Sequence, residues 1–200
     1  MKYLLLTGLL LISSFTQAKQ ATSDLGYSIE IPDSWLPLTG PEIKANPDLF
    51  NFEQVDGLSP ALLEQIVPVI QSGNMDIYFI PHSTDNTANN FTDNINVMKQ
   101  IGSVPNNLDE LTQVCAAAKS ELNNLFQRDI KMYECKQTDV KGKNALYTKF
   151  DGALAGTISA QYHIALSENV FLMFTVTAKS DTYETIEKPF RDVINTLNIR

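Results

Sequence analysis

The sequence predicts an α+β fold in which a largely antiparallel sheet carries packed helices. Two observations predict it. Residues 145–178 hold three strand-like runs, Ala145–Phe150, Thr157–Leu166 and Val170–Ala178, separated only by short Gly, Asp and Asn connections, the spacing of an antiparallel meander. The last run, Val-Phe-Leu-Met-Phe-Thr-Val-Thr-Ala, is nearly apolar on both alternating faces, so it is expected at the centre of the sheet with a layer above and a layer below. The residues that follow supply one such layer. Tyr183, Ile186, Phe190, Val193, Ile194 and Leu197 form a helical stripe, opened by an Asp181/Glu184 cap pair and expected to kink or restart at Pro189.

The N-terminus reads as an export signal. Met1-Lys2 is a minimal charged start, Leu4–Ile12 is apolar, and Thr16-Gln17-Ala18 fits a small-x-small cleavage site, which gives a signal peptide over residues 1–18 cut after Ala18. The alternative is a membrane anchor, but the apolar run falls well short of the roughly twenty residues a span needs. No Cys follows it, which disfavours a lipid anchor, and no later stretch is long enough to cross a bilayer. Residues 19–200 then read as one domain with a core of its own. The formal net charge is −8, with Lys2 the sole charge removed by cleavage. An acidic chain without a basic cluster is a poor match for DNA, RNA or anionic lipid. In an exported protein the pair Cys115 and Cys135 is most simply a disulfide. A redox or metal role is the alternative, but the spacing is neither C-x-x-C nor a zinc pattern.

Taken in order, Tyr27, Ile29 and Ile31 alternate with Ser28 and Glu30 in a strand that Pro32 stops; Trp35 is expected to cover the core edge. Residues 36–54 read mostly as loop. Ser59-Pro60 opens a helix whose face of Leu62, Leu63, Ile66, Val67 and Ile70 is interrupted by Pro68. Met75–Ile80 and Ile95–Ile101 read as strands on either side of a polar, Asn-rich segment. Asn107 with Glu110 makes a capping-box-like start to a long helix, with Leu108, Leu111, Cys115, Ala118, Leu122 and Leu125 on one stripe. That stripe turns Cys115 inward, within reach of Cys135 on the strand Ile130–Gln137.

Two signatures in this order resemble the PsbP-like, Mog-type family. One is Gly26-Tyr-Ser-Ile-Glu-Ile-Pro-Asp-Ser-Trp35, and the other is Asn90-Phe-Thr-Asp-Asn-Ile-Asn-Val-Met98 entering a strand. The C-terminal Tyr…Phe-x-x-Val-Ile-x-x-Leu helix also fits. The resemblance spans residues 24–200. It implies an α/β/α sandwich and, among exported bacterial members such as DcrB-like envelope proteins, a role in binding other proteins. The family supplies no functional residue set that maps onto this chain, and residues 41–73 are an enlarged connection relative to its pattern.

Chemistry-bearing residues are few. His163 shares a strand face with Gln161 and Ser159, and reads as a surface or hydrogen-bonded histidine ahead of a base or ligand. His82, close to Ser83 and Asp85, lacks the G-x-S-x-G elbow of a hydrolase. Asp85, Thr87, Asn89 and Asp93 offer oxygens, but the glycine and terminal acid of a calcium loop are replaced by Asn90 and Asn96. Asn90-Phe-Thr92 matches a glycosylation sequon without further support. No metal or cofactor is implied. The enlarged 41–73 connection carries Leu49, Phe50, Phe52, Leu62, Leu63, Ile66 and Val69, which either pack as a satellite core or line a contact surface for a partner. The expectation is an exported, periplasmic or secreted binding or accessory protein, non-catalytic and acting on another envelope or secreted protein. The alternatives are a small hydrolase using His82 or His163, and a carrier for a small apolar ligand.

Overall fold

The computed structural model describes residues 18–46, 58–80 and 93–200. Leu49, Phe50, Phe52, His82, Asp85, Thr87 and Asn89 lie outside them. The elements run β1 (Ala18–Ser23), β2 (Tyr27–Pro32), β3 (Leu36–Leu38), α1 (Gly40–Ala45), α2 (Pro60–Ser72), β4 (Met75–Phe79), β5 (Asn94–Ile101), α3 (Leu108–Phe126), β6 (Met132–Val140), β7 (Lys143–Asp151), β8 (Thr157–Ser167), β9 (Val170–Lys179), α4 (Tyr183–Ile194) and β10 (Asn198–Ile199).

A seven-stranded sheet in the order β3-β4-β5-β9-β8-β7-β6 forms the middle layer, and all of its pairs are antiparallel. Alternation along the strands gives it two unlike faces. On one face Ile95, Val97, Ala160, Ile164, Leu172, Phe174 and Val176 are sealed beneath α4 and a small sheet ordered β1-β2-β10. The stripe Tyr183, Ile186, Phe190, Val193, Ile194 and Leu197 lands there, with Tyr27, Ile29, Ile31 and Trp35 beside it. On the other face α1 and α2 bury Ile43, Ile70, Met75 and Ile77 in a separate cluster, while α3 lies across the β6–β7 side. The result is an α/β/α sandwich with one outer layer shared between a helix and three short strands.

Several local expectations change. Over the described part of the 36–54 stretch, residues 36–46, the chain is not mostly loop: β3 pairs with β4, and α1 is opened by Glu42, whose carboxylate accepts hydrogen bonds from Thr39 N at 2.7 Å and Thr39 Oγ1 at 2.8 Å. Those bonds hold the Glu42 carboxyl below its ordinary pKa. Neither Pro68 nor Pro189 breaks its helix. Each proline removes one backbone donor, but the carbonyls released belong to Glu64 and Thr185, both exposed, where water takes over. The α4 cap is not Asp181/Glu184. Thr182 holds the N-cap position, and its hydroxyl donates to Asp93 Oδ2 at 3.1 Å. Buried Asp93 also accepts from Lys179 N at 3.1 Å, so this residue of the candidate calcium loop ties β9 to α4.

Helix α3 starts as its sequence requires, with Asn107 Oδ1 accepting from Glu110 N at 2.9 Å. Its inward stripe is only half-buried: Leu111, Cys115, Ala118, Leu122 and Leu125 are partly covered, Leu108 is 73% exposed, and no residue of the helix is fully buried. What fixes it are contacts at its ends and a staple in the middle. Phe126 packs on Phe150 at 6.4 Å between ring centroids, the Asn144 Nδ2 amide donates to Pro105 O at 2.7 Å, and a disulfide joins Cys115 to Cys135 on β6, with Cα atoms 5.8 Å apart. With so little burial behind it, the helix depends on that bond. Replacing both cysteines with serine is expected to lower unfolding free energy by about 3 kcal/mol in urea titrations, with amide exchange rising first in α3.

Candidate functional site

The sheet face under α2 and α3 is roofed unevenly. The two helices touch where the Ser59 hydroxyl, capping α2, donates to Leu125 O near the end of α3. From that junction α2 runs toward the ends of β5 and β9, where Val69 and Asn74 border a hollow of about 380 Å³ with Leu25, Lys99, Gln100, Ile101 and Val170. Helix α3 instead keeps to β6 and β7. The central strands β8 and β9 lie between them, and their face is half-open toward the end where Ile101 is 91% exposed.

Burial within single strands shows the gap. Ile164, Leu172 and Phe174 are 0% exposed on the sealed face, whereas their strand neighbours His163, Phe171 and Met173 on the helix side are only half-buried. The expectation that β9 is covered on both sides therefore holds on one face and fails over part of the other. The open floor contains Gln161, His163, Phe171, Met173, Met98 and Gln100: amide, imidazole, aromatic and thioether groups, with no formal charge. His163 stacks on Phe171 with ring centroids 5.0 Å apart and planes 12° apart. Its Nε2 sits 3.1 Å from Gln161 Oε1, and Gln161 Nε2 donates to Thr175 Oγ1 at 3.2 Å.

Burial among these neighbours pushes the His163 imidazole down to about 4, so the ring is neutral near pH 7. In the unfolded chain a histidine titrates near 6.5. The unfolded state therefore binds a proton that the folded state refuses, and the contribution is complete above pH 6.5 and lost as pH falls toward 4, by up to about 3 kcal/mol. A His163→Gln variant is expected to show a flatter stability profile than the parent between pH 6.5 and 4, read by urea midpoints at each pH.

The structure places Ile66 and Val69 against the satellite cluster of Ile43, Ile70, Met75 and Ile77, and leaves Leu62 and Leu63 half-buried in the first turn of α2, beside the junction with α3. The edges of the seven-stranded sheet offer little to a partner seeking an extra strand. At β3 the edge carries Pro37, which has no N–H to donate, and β6 has an irregular register between Met132 and Glu134 and carries charged Glu134, Lys136 and Asp139. Proline, bulges and charge are the devices that blunt sheet edges. Among the described residues there is no group of three or more His, Cys, Asp or Glu arranged to hold a metal, and no helix long and apolar enough to cross a membrane. His163 meets an amide and an aromatic ring, with neither hydroxyl nor carboxylate on its ring nitrogens.

Solved structures share this architecture across nearly the whole chain. The solution structure of cyanobacterial PsbP, CyanoP from Synechocystis sp. PCC 6803, superposes with a TM-score of 0.54 at 11% identity, over 97% of this chain and 99% of that one. The chain has a PsbP-like fold. LpqN, a protein involved in cell envelope biogenesis of Mycobacterium tuberculosis, superposes with a TM-score of 0.52 at 14% identity, over 92% of this chain and 90% of its own. The Saccharomyces cerevisiae Ran-binding protein Mog1p matches more loosely, with a TM-score of 0.48 at 9% identity over 92% and 96% of the two chains. No family profile and no curated protein matches the sequence. At these identities the likeness establishes the fold, and function has to be argued from the surface.

Proposed function

We propose that this is an exported binding or accessory protein of the cell envelope, non-catalytic, which engages another envelope or secreted protein along the half-open trough between α2 and α3. One observation carries the reading: interior strands of a rigid sheet keep an uncharged, aromatic and thioether-rich floor half-exposed on one face while the opposite face is sealed. Rigid floors of this composition suit apolar side chains of a partner. Export is supported by the apolar N-terminal run, by the Cys115–Cys135 disulfide and by β1, whose pairing from Lys19 to Ser23 survives cleavage after Ala18. The envelope role of LpqN agrees with this placement.

Leu62, Leu63 and Ile66 on α2 form the described part of the contact surface in this reading, joined by Leu49, Phe50 and Phe52 from the same connection. The test is capture of interacting proteins from envelope extract with the parent and with Leu62→Glu/Leu63→Glu, two half-buried positions outside the satellite cluster. A partner retained by the parent and lost with the pair, while circular dichroism stays unchanged, supports the reading. Equal capture by both removes α2 from the contact surface.

A further inference from the structure

Strand register brings together residues that lie far apart in the chain. Leu146 on β7 faces His163 on β8, His163 faces Met173 on β9, Met173 faces Met98 on β5, and Met98 faces Met75 on β4. The five form one transverse row on the helix side of the sheet. Its ends are roofed: Leu146 is 3% exposed and Met75 1%. Its middle, His163, Met173 and Met98, is only partly buried where it borders the trough. Three of the chain's five methionines thus stand side by side, two of them partly buried, and Met173 is directly beside one of its two histidines.

Directly opposed side chains on neighbouring strands have Cβ atoms about 5 Å apart, so the flanking Met98 and His163 can both lean over the central Met173. The histidine is prepared for such a role. Gln161 gives its amide N–H to Thr175 Oγ1, which turns its carbonyl oxygen toward His163 Nε2. That oxygen only accepts, so the tautomer that completes this hydrogen bond has the proton on Nε2 and the lone pair on Nδ1. A ligating imidazole is held in this way, its second nitrogen donating to a fixed acceptor that sets tautomer and orientation. The stack on Phe171 fixes the ring plane.

We propose that Met98, Met173 and His163 form a binding site for one soft monovalent metal ion, Cu(I) being the physiological candidate. Thioether sulfur with neutral imidazole selects soft cations, while the hard divalent ions require carboxylate or carbonyl oxygen, which the row lacks. Both cysteines are tied in the disulfide, so no thiolate competes for the ion. The site lies on the floor of the trough that the partner reading uses, but it requires no second protein, and its test is blind to whether one binds.

The test uses Ag(I), a redox-inert soft ion, titrated into protein carrying 13C-methyl methionine, followed by competition with a chromogenic Cu(I) chelator under reducing, anaerobic conditions. The expected result is saturation at one equivalent, with the Met98 and Met173 methyl signals shifting and Met132 unmoved. Met98→Leu and Met173→Leu keep side-chain volume and are each expected to weaken Cu(I) by at least about tenfold, as is Gln161→Leu through the orientation of His163. Zn(II) is expected to leave the spectrum unchanged. No methyl shift at equimolar Ag(I), shifts spread equally over Met132, or affinities unaltered in both leucine variants would overturn the assignment and leave the methionines as packing side chains.

Discussion

Replacing Gly40 with alanine is expected to be among the most damaging single-methyl changes in this protein. Gly40 opens α1 and sits against the left-handed turn that ends α2, where Gly73 has a φ of 71°. A Cβ at Gly40 would lie 1.9 Å from Gly73 O, and a Cβ at Gly73 would lie 2.7 Å from Gly40 O. Both contacts are with backbone, so no side-chain rotation relieves them. The two helices would have to separate, opening the cluster of Ile43, Ile70, Met75 and Ile77 and breaking the bond from Gly40 N to Asp76 Oδ1 at 2.8 Å. A loss of about 3 kcal/mol follows from overpacking a site that cannot yield. Urea unfolding of Gly40→Ala measures it; a midpoint within error of the parent would mean that α1 can move freely.

Replacing Asp76 with alanine is expected to cost still more, on the order of 4 kcal/mol. Asp76 is 1% exposed and joins three layers through its carboxylate. Oδ2 accepts from the Tyr27 hydroxyl at 2.7 Å, Oδ1 accepts from Gly40 N, and the Tyr27 and Tyr78 hydroxyls lie 2.9 Å apart. Burial, with Tyr78 and Asp76 nearby, pushes the Tyr27 phenol well above its ordinary value, so it remains a donor throughout the physiological range. Alanine strands a backbone N–H and a phenol in a dry interior, and each unsatisfied group costs about 1–3 kcal/mol. Tyr78→Phe, which removes one hydroxyl and no carboxylate, is expected to cost far less. Equal losses from Asp76→Ala and Tyr78→Phe would show that the carboxylate is not the hub.

What the sequence made legible follows the range of the physics involved. The meander of β7, β8 and β9, the α4 stripe and the Asn107/Glu110 cap are written in residues within a few positions of one another, and all of them form. The Cys115–Cys135 pairing was also accessible, because a helical stripe and an adjacent strand present the two residues to each other. Helix α1 is hidden by the Gly and Pro of its own start, although Thr39, Pro41 and Glu42 are a usable cap pattern. Strands β3 and β10 are short and β1 is largely polar, and their partners β2 and β4 set them, which no local period reveals. The candidate site was legible only in fragments. His163 and its face-mates Gln161 and Ser159 could be named from alternation, but the row Met75–Met98–Met173–His163 needs the order β4-β5-β9-β8, in which chain neighbours and sheet neighbours differ. The sequence also makes β9 look evenly greasy; the difference between its faces arises because α2 and α3 meet at one end of the sheet and part at the other.

Binding of a partner in the half-open trough is tested by site-directed photo-crosslinking in the envelope. A photoreactive residue is placed in turn at Gln100 and Ala165 on the open floor, and at Lys188 on the exposed face of α4 as a control. A discrete higher-mass adduct from Gln100 and Ala165, absent at Lys188, is the predicted result. Adducts from Lys188 alone, or none from either trough position in protein that is folded and exported, would place the partner elsewhere on the surface.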